Sequence, residues 1–207
     1  ASSLQLRLTG TLTGTGVVTG PAADNAILTV GPLQVTGTAG FALTMATVDA
    51  DTDGNGTADL VGATLTGLAL DVANAGVTIT DVATLQVSGR LGIATLAPAD
   101  VLDTRSWFGL KMGEVTVSGG LDPSLGIQLS ATITIGALDY NSATNPTTPA
   151  AAKRLDWAKS FDLDGDGQFD DALNPGALLP TPADLTIDFA SSLQLRLTGT
   201  LTGTGVV

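Results

Sequence analysis

Two short segments hold most of the carboxylates that could act together. DADTDGNGTAD (49–59) sets Asp49, Asp51 and Asp53 at spacing two, then Gly54, with Asp59 further on. DLDGDGQFDD (162–171) repeats the spacing with Asp162, Asp164 and Asp166, then Gly167, with Asp170 and Asp171 behind. In a tightly curled loop, alternate positions turn their carboxylates toward one point. The glycine allows the sharp turn that brings the next backbone carbonyl round, here that of Asn55 or Gln168. A calcium ion takes six to eight oxygens at about 2.3–2.6 Å, and the late carboxylates Asp59, Asp170 and Asp171 would close the far side. Asp and Gly also favour plain solvated turns, but two copies of the same triple spacing favour a bound ion. The expectation is two calcium sites.

These loops resemble the calcium loops of EF-hand, dockerin and thrombospondin-type repeats, over about ten residues each. They depart from the EF-hand at the twelfth position, where Leu60 and Leu173 stand in place of a bidentate glutamate. Strand patterns flank the first loop, so the expectation is calcium loops at strand turns. On a larger scale the chain is similar to the long tandem-repeat proteins of bacterial surfaces and secretions. It shares with them an acidic, cysteine-free, Thr/Gly/Val-rich composition and aspartate loops. That resemblance implies an extracellular or cell-surface location, export in an unfolded state, and folding on meeting calcium. The glycine-rich nonapeptide G-G-x-G-x-D of β-rolls is absent, so that architecture is not implied.

The rest of the composition narrows the chemistry. Among 207 residues there is no cysteine and no histidine. Disulfides, thiolate sites, catalytic triads and histidine-ligated metals are therefore excluded. Twenty acidic residues against eight basic give a net charge of −12, which argues against a nucleic-acid partner or an anionic membrane. No run of about 20 apolar residues exists, so no membrane-spanning helix and no membrane insertion are expected. No basic leader precedes an apolar run at the N-terminus. Glu114 is the only glutamate and falls in a strand pattern. With the clustered aspartates assigned to the loops, no catalytic pair remains, and the chain reads as a non-enzyme.

Most of the chain must supply the scaffold that positions the loops. Leu4, Leu6 and Leu8 alternate with Gln5, Arg7 and Thr9, the period of a half-buried strand. The same alternation recurs over 26–48, 58–80, 82–96, 106–120, 125–140 and 183–199, rich in Val and Thr, which fit a pleated surface. About six long strands are expected. LQVTGTAGFAL (33–43), LQVSGRLGIATL (85–96) and IQLSATITIGAL (127–138) read as related phrases. The segments 71–76 and 97–106 read as turns, 150–161 as one short helix, and 174–182 as an irregular connector. Residues 141–182 form the one substantial insertion. Trp107, Phe108 and Trp157 would plug the sheet ends; stacking on a sugar is the alternative.

Residues 190–207 repeat 1–18 without a single difference. This predicts that 1–189 is one structural repeat and that 190–207 starts the next. The fold class expected is all-β: an elongated tandem-repeat architecture of long, mainly antiparallel strands, either β-solenoid-like or stacked β-sandwich. The function expected is a calcium-stiffened repeat of an extracellular filament, stalk, sheath or adhesin. Its partners would be neighbouring copies, or alternatively a glycan or another cell.

Overall fold

The computed structural model describes residues 6–13, 26–30, 33–79, 81–125, 127–145 and 153–205. Eight strands form one open antiparallel sheet: β1 (Leu6–Thr13), β2 (Ala26–Val30), β3 (Leu33–Ala50), β4 (Leu60–Ile79), β5 (Ala83–Ala97), β6 (Ser106–Leu121), β7 (Ile127–Thr144) and β8 (Leu193–Gly205). Their order is β1-β3-β4-β5-β6-β7-β8, with β2 pairing the far part of β3. No α-helix occurs among the described residues, and no helix is long and apolar enough to cross a membrane. The twenty residues of β4 span roughly 65 Å at about 3.3 Å per residue.

The alternation places two kinds of side chain on two faces. One face carries small residues where the strands lie under the segment 153–190. Ala42, Ala69 and Gly92 fall in register across β3, β4 and β5, and Ala94 pairs Gly67 beside them. On them sit Leu179 and Leu185, with Leu155, Trp157, Phe161, Ile187 and Phe189 beyond. Trp157 and Phe161 are wholly buried, their ring centroids 5.8 Å apart. Trp157 presses on Gly109 so closely that a Cβ there would lie 2.9 Å from the indole. Of the insertion expected over 141–182, residues 141–144 belong to β7, and the described part from 153 on, continued to 190, is the second layer of the core.

That layer is not helical. Leu155, Trp157 and Phe161 are all fully buried, a spacing that suits extended chain better than a helix face. The main-chain groups bond outward: Trp157 N to Phe189 O at 3.4 Å and Asp51 N to Ser160 O at 3.0 Å. The described part of the expected helix, 153–161, is therefore irregular. Residues 183–190 also belong to this layer rather than to β8, because Leu185, Ile187 and Phe189 turn into it. The segment 97–106 is the turn joining β5 to β6, as expected. The segment 71–76 is not a turn but a bulged stretch of β4, where Asp71 lies 3.5 Å from Arg90.

Register breaks cross the sheet in a line, near Gly37, Asn74, Gly89, Glu114 and Gly136. Gly37 and Gly89 hold equivalent places in two of the three related phrases and share φ values of 144° and 142°. Such bulges add local twist. They separate the covered part of the sheet from a part whose corresponding face carries registered hydroxyl rows: Thr116–Thr134–Thr198 and Ser118–Thr132–Thr200.

The duplicated segment supplies both edges. β1 pairs β3 antiparallel, with Arg7 opposite Thr44, and β8 pairs β7 antiparallel, with Arg196 opposite Ala137. Since β3 and β7 run the same way, so do β1 and β8. Arg7 and Arg196, equivalent in the repeat, both take register positions on the small-residue face. Leu6 and Leu195 both take the opposite one.

Trp157→Ala removes the largest buried side chain from the layer. It is expected to cost about 3–5 kcal/mol in denaturant unfolding monitored by strand circular dichroism. An unchanged midpoint would show that 153–190 does not stabilise the sheet.

Candidate metal centres

The first acidic loop joins β3 to β4, and the second lies in the covering layer directly beside it. Ala50 and Phe161 form an antiparallel bridge, and each loop departs from one of them. Each then closes on its own start: Asp59 N donates to Ala50 O at 3.1 Å, and Asp171 N to Phe161 O at 3.1 Å. The two loops are a pair grown from one bridge.

Their internal geometry matches from Asp51 to Gly56 and from Asp162 to Gly167, the second loop carrying one more residue before its closing aspartate. Asp51 Oδ1 accepts from Gly54 N at 2.7 Å and its Oδ2 from Gly56 N at 2.6 Å. Asp162 Oδ1 accepts from Gly165 N at 2.7 Å and its Oδ2 from Gly167 N at 3.0 Å. The four glycines have φ of 79°, 83°, 81° and 86°, the left-handed region that a side chain disfavours. The far carboxylates also correspond. Asp59 Oδ1 accepts from Thr52 N at 2.5 Å, and Asp171 Oδ2 from Leu163 N at 2.6 Å.

Two triads result, Asp51/Asp53/Asp59 and Asp162/Asp164/Asp171. In each, one carboxylate oxygen per residue lies within 4.8 Å of the others, so each cluster could hold a metal ion. No protein-family profile, curated protein or solved structure matches this chain. The geometry of the loops therefore speaks for itself.

The structural equivalence sets Asp51 against Asp162, two residues out of step with the Asp49/Asp162 alignment suggested by the D-x-D-x-D run. The shared motif is D-x-D-G-x-G. Asp49 lies outside the first triad, its Oδ1 accepting from Gly62 N at 2.7 Å. Asn55 uses its side-chain oxygen to accept from Thr57 N at 2.8 Å. Asp166, the counterpart of Asn55, accepts from Gln168 N at 2.7 Å. Asp170 is exposed and outside the second triad, where Asp171 stands instead.

The electrostatics of the pair differ. The first triad has basic neighbours: Arg105 Nη1 is 3.9 Å from Asp59, and Lys153 Nζ donates to Asp53 O at 3.2 Å. Arg105 is itself gripped by Asp103 at 2.7 Å and stacked 5.2 Å from the Trp107 ring centre. The Asp103–Arg105 pair, two residues apart in sequence, thus leans on the first loop through Asp59. Among the described residues, no ion pair involves the second loop. Both tryptophans are buried. Trp107 Nε1 donates to Lys153 O at 2.9 Å and Trp157 Nε1 to Asn141 Oδ1 at 3.2 Å, so neither offers a face to a sugar.

Asp51 is buried, which alone would raise its pKa. The Gly56, Gly54 and Asn55 amides and the Asp53 side chain outweigh burial and hold it below the usual 3.8. For Asp103, the hydrogen bond from Arg105 is the main cause and the direction is the same. A carboxylate whose pKa is depressed on folding adds stability above 3.8, and that stability is lost as pH falls through the folded value. In chelator, unfolding midpoints are expected to drop below pH 3.8, and Asp51→Asn should flatten that drop. An Asp51→Asn profile parallel to the parent would contradict the assignment.

Proposed function

We propose that this chain is a calcium-stiffened structural repeat of a long extracellular assembly, in which successive repeats join into one continuous sheet. The observation that carries it is the placement of the duplicated segment. A strand's residues alternate the edge to which their N–H and C=O groups point. β1 offers one edge to β3, while its identical counterpart β8 offers the opposite edge to β7. One strand can serve both at once, because direction and facing agree. β8 then stands as the first strand of the following repeat, and domain 1–189 repeats through it.

The geometry of such an array follows from the register. Six strands lie on the path in each repeat, so one repeat advances about 29 Å at roughly 4.8 Å per strand. The residue row entering at Leu8 runs through Leu43, Leu68, Ile93 and Leu110 to Tyr140 and leaves at Leu193, the counterpart of Leu4. Each repeat is thus staggered by roughly 13 Å along the strands. Pairing both edges also removes the exposed strand edges that otherwise invite irregular aggregation.

Calcium suits the triads because they offer hard carboxylate oxygens with no nitrogen or sulfur donor. An ion at each loop would pin the β3–β4 turn to the covering layer through the Ala50–Phe161 bridge. The second loop has more acid and enters no ion pair among the described residues, and affinity rises with ligand charge. Calorimetric titration is expected to show two sites, with Asp162→Ala abolishing the tighter and Asp51→Ala the weaker. Millimolar calcium should raise the melting temperature of the parent and not of the double variant. A chain that binds no calcium at millimolar concentration would sink this part of the reading.

Joining of repeats has its own test. Deleting 190–207 leaves the β7 edge bare, and β1 of another copy can fill it. The shortened chain is expected to form linear oligomers as concentration rises, whereas the full chain, with β7 already capped by β8, does so far less. Equal behaviour of the two chains in sedimentation would contradict the edge model.

A further inference from the structure

We propose that the leucine-rich face of the sheet is covered by the same face of a second copy of this chain, the two sheets packing as a layer independent of edge pairing. The covering segment 153–190 protects only the opposite face. On the leucine-rich face a second row, Phe41, Leu70, Leu91, Met112, Leu138 and Leu195, runs in register beside the Leu8–Leu193 row. Leu195 is 58% exposed and Leu201 is 74% exposed.

Three observations define what fits there. First, no registered position on this face holds a charge. Arg7, Asp71, Arg90, Lys111, Asp139 and Arg196 all take positions on the other side. Second, the sheet already has a face suited to water beyond the bulge line, the hydroxyl rows ending at Thr198 and Thr200. The leucine-rich side is its apolar opposite over the same strands. Third, the face is large. Six strand spacings by about 45 Å give roughly 1,300 Å², above the ~800 Å² per partner of a stable interface.

The relief suits a copy of itself. Ala83, Gly119 and Ala131 floor an apolar hollow of about 400 Å³ rimmed by Leu85, Leu129 and Leu201, so ridges stand beside gaps of similar chemistry. Aligned sheets pack about 10 Å apart by fitting one into the other. Two faces whose registered rows hold no charge need little matching of charge, the exposed Glu114 of the bulge line lying outside those rows, whereas the net charge of −12 disfavours anionic lipid as the occupant.

The test uses the full chain, which has no cysteine, carrying a single nitroxide at Ile93→Cys. Ile93 lies on β5, the middle strand of the seven-strand path. A face-to-face pair brings two labels within about 20 Å, given sheets ~10 Å apart. An edge-to-edge pair leaves them about a sheet width, ~29 Å, or more apart. The short distance is expected, together with a dimer in sedimentation at micromolar concentration. Leu68→Asp with Ile93→Asp should weaken that dimer at least 100-fold and leave the near-ultraviolet tryptophan signal intact, while Thr200→Asp leaves the dimer unchanged. A monomer at these concentrations, a long label distance, or a label buried in phosphatidylcholine vesicles without a short pair distance would each overturn the proposal. If the double variant loses the tryptophan signal, the label distance in the otherwise unaltered chain still decides.

Discussion

The structure depends on how closely a second layer can approach the sheet. Gly92, Gly109, Ala42 and Ala69 present almost no side chain, and Trp157, Leu179 and Leu185 descend into the space that leaves. Large residues over small ones is how a chain with so few aromatics builds a dense interior. The two tryptophans also fix the layer in the plane, since each indole N–H meets a defined acceptor. Everything positioned by 153–190, the second acidic loop above all, inherits its place from this contact.

That contact explains the pairing of the acidic loops. Phe161 is anchored by burial and Ala50 by its strand, and the bridge between them sets both loops at one end of the sheet. Asp51 is buried by the same packing and is compensated by the amides it accepts from. A calcium-dependent clamp at this place would tie layer to sheet where the β3–β4 turn begins. The remaining surfaces divide by chemistry: hydroxyl rows toward water, leucine rows without charge, and two identical strands at the edges. Each of these asks for a different neighbour, and the sequence supplies a consistent candidate for each.

The strands were legible because alternation of Leu, Val and Thr with polar residues is a local signal, and the boundaries of β4, β5 and β6 fall within a few residues of those expected. The acidic loops were legible as clusters, but their alignment was not. Asp49 and Asp51 are the same residue type at the same spacing; what separates them is the pair of left-handed glycines, Gly54 and Gly56, which point to Asp51 as the first position. The covering layer was divided between two readings: 141–182 as an insertion holding a helix over 150–161, from its helix-forming residues, and 183–199 as a strand, from its alternation. Only the small residues waiting on the sheet, far away in sequence, decide between those. The in-register row of leucines needs the pairing of seven strands and cannot be read from any one of them.

The claim most central to this account is that one strand serves two neighbours. It is tested most directly by amide hydrogen exchange on a chain of two consecutive repeats, residues 1–189 followed by 1–207. The segment SLQLRLTG then occurs three times. If the sheet is continuous, the middle copy is bonded along both edges and exchanges more slowly than either outer copy. A middle copy that exchanges as fast as the outer ones would mean the repeats fold as separate sheets, and the account of a continuous assembly would fail.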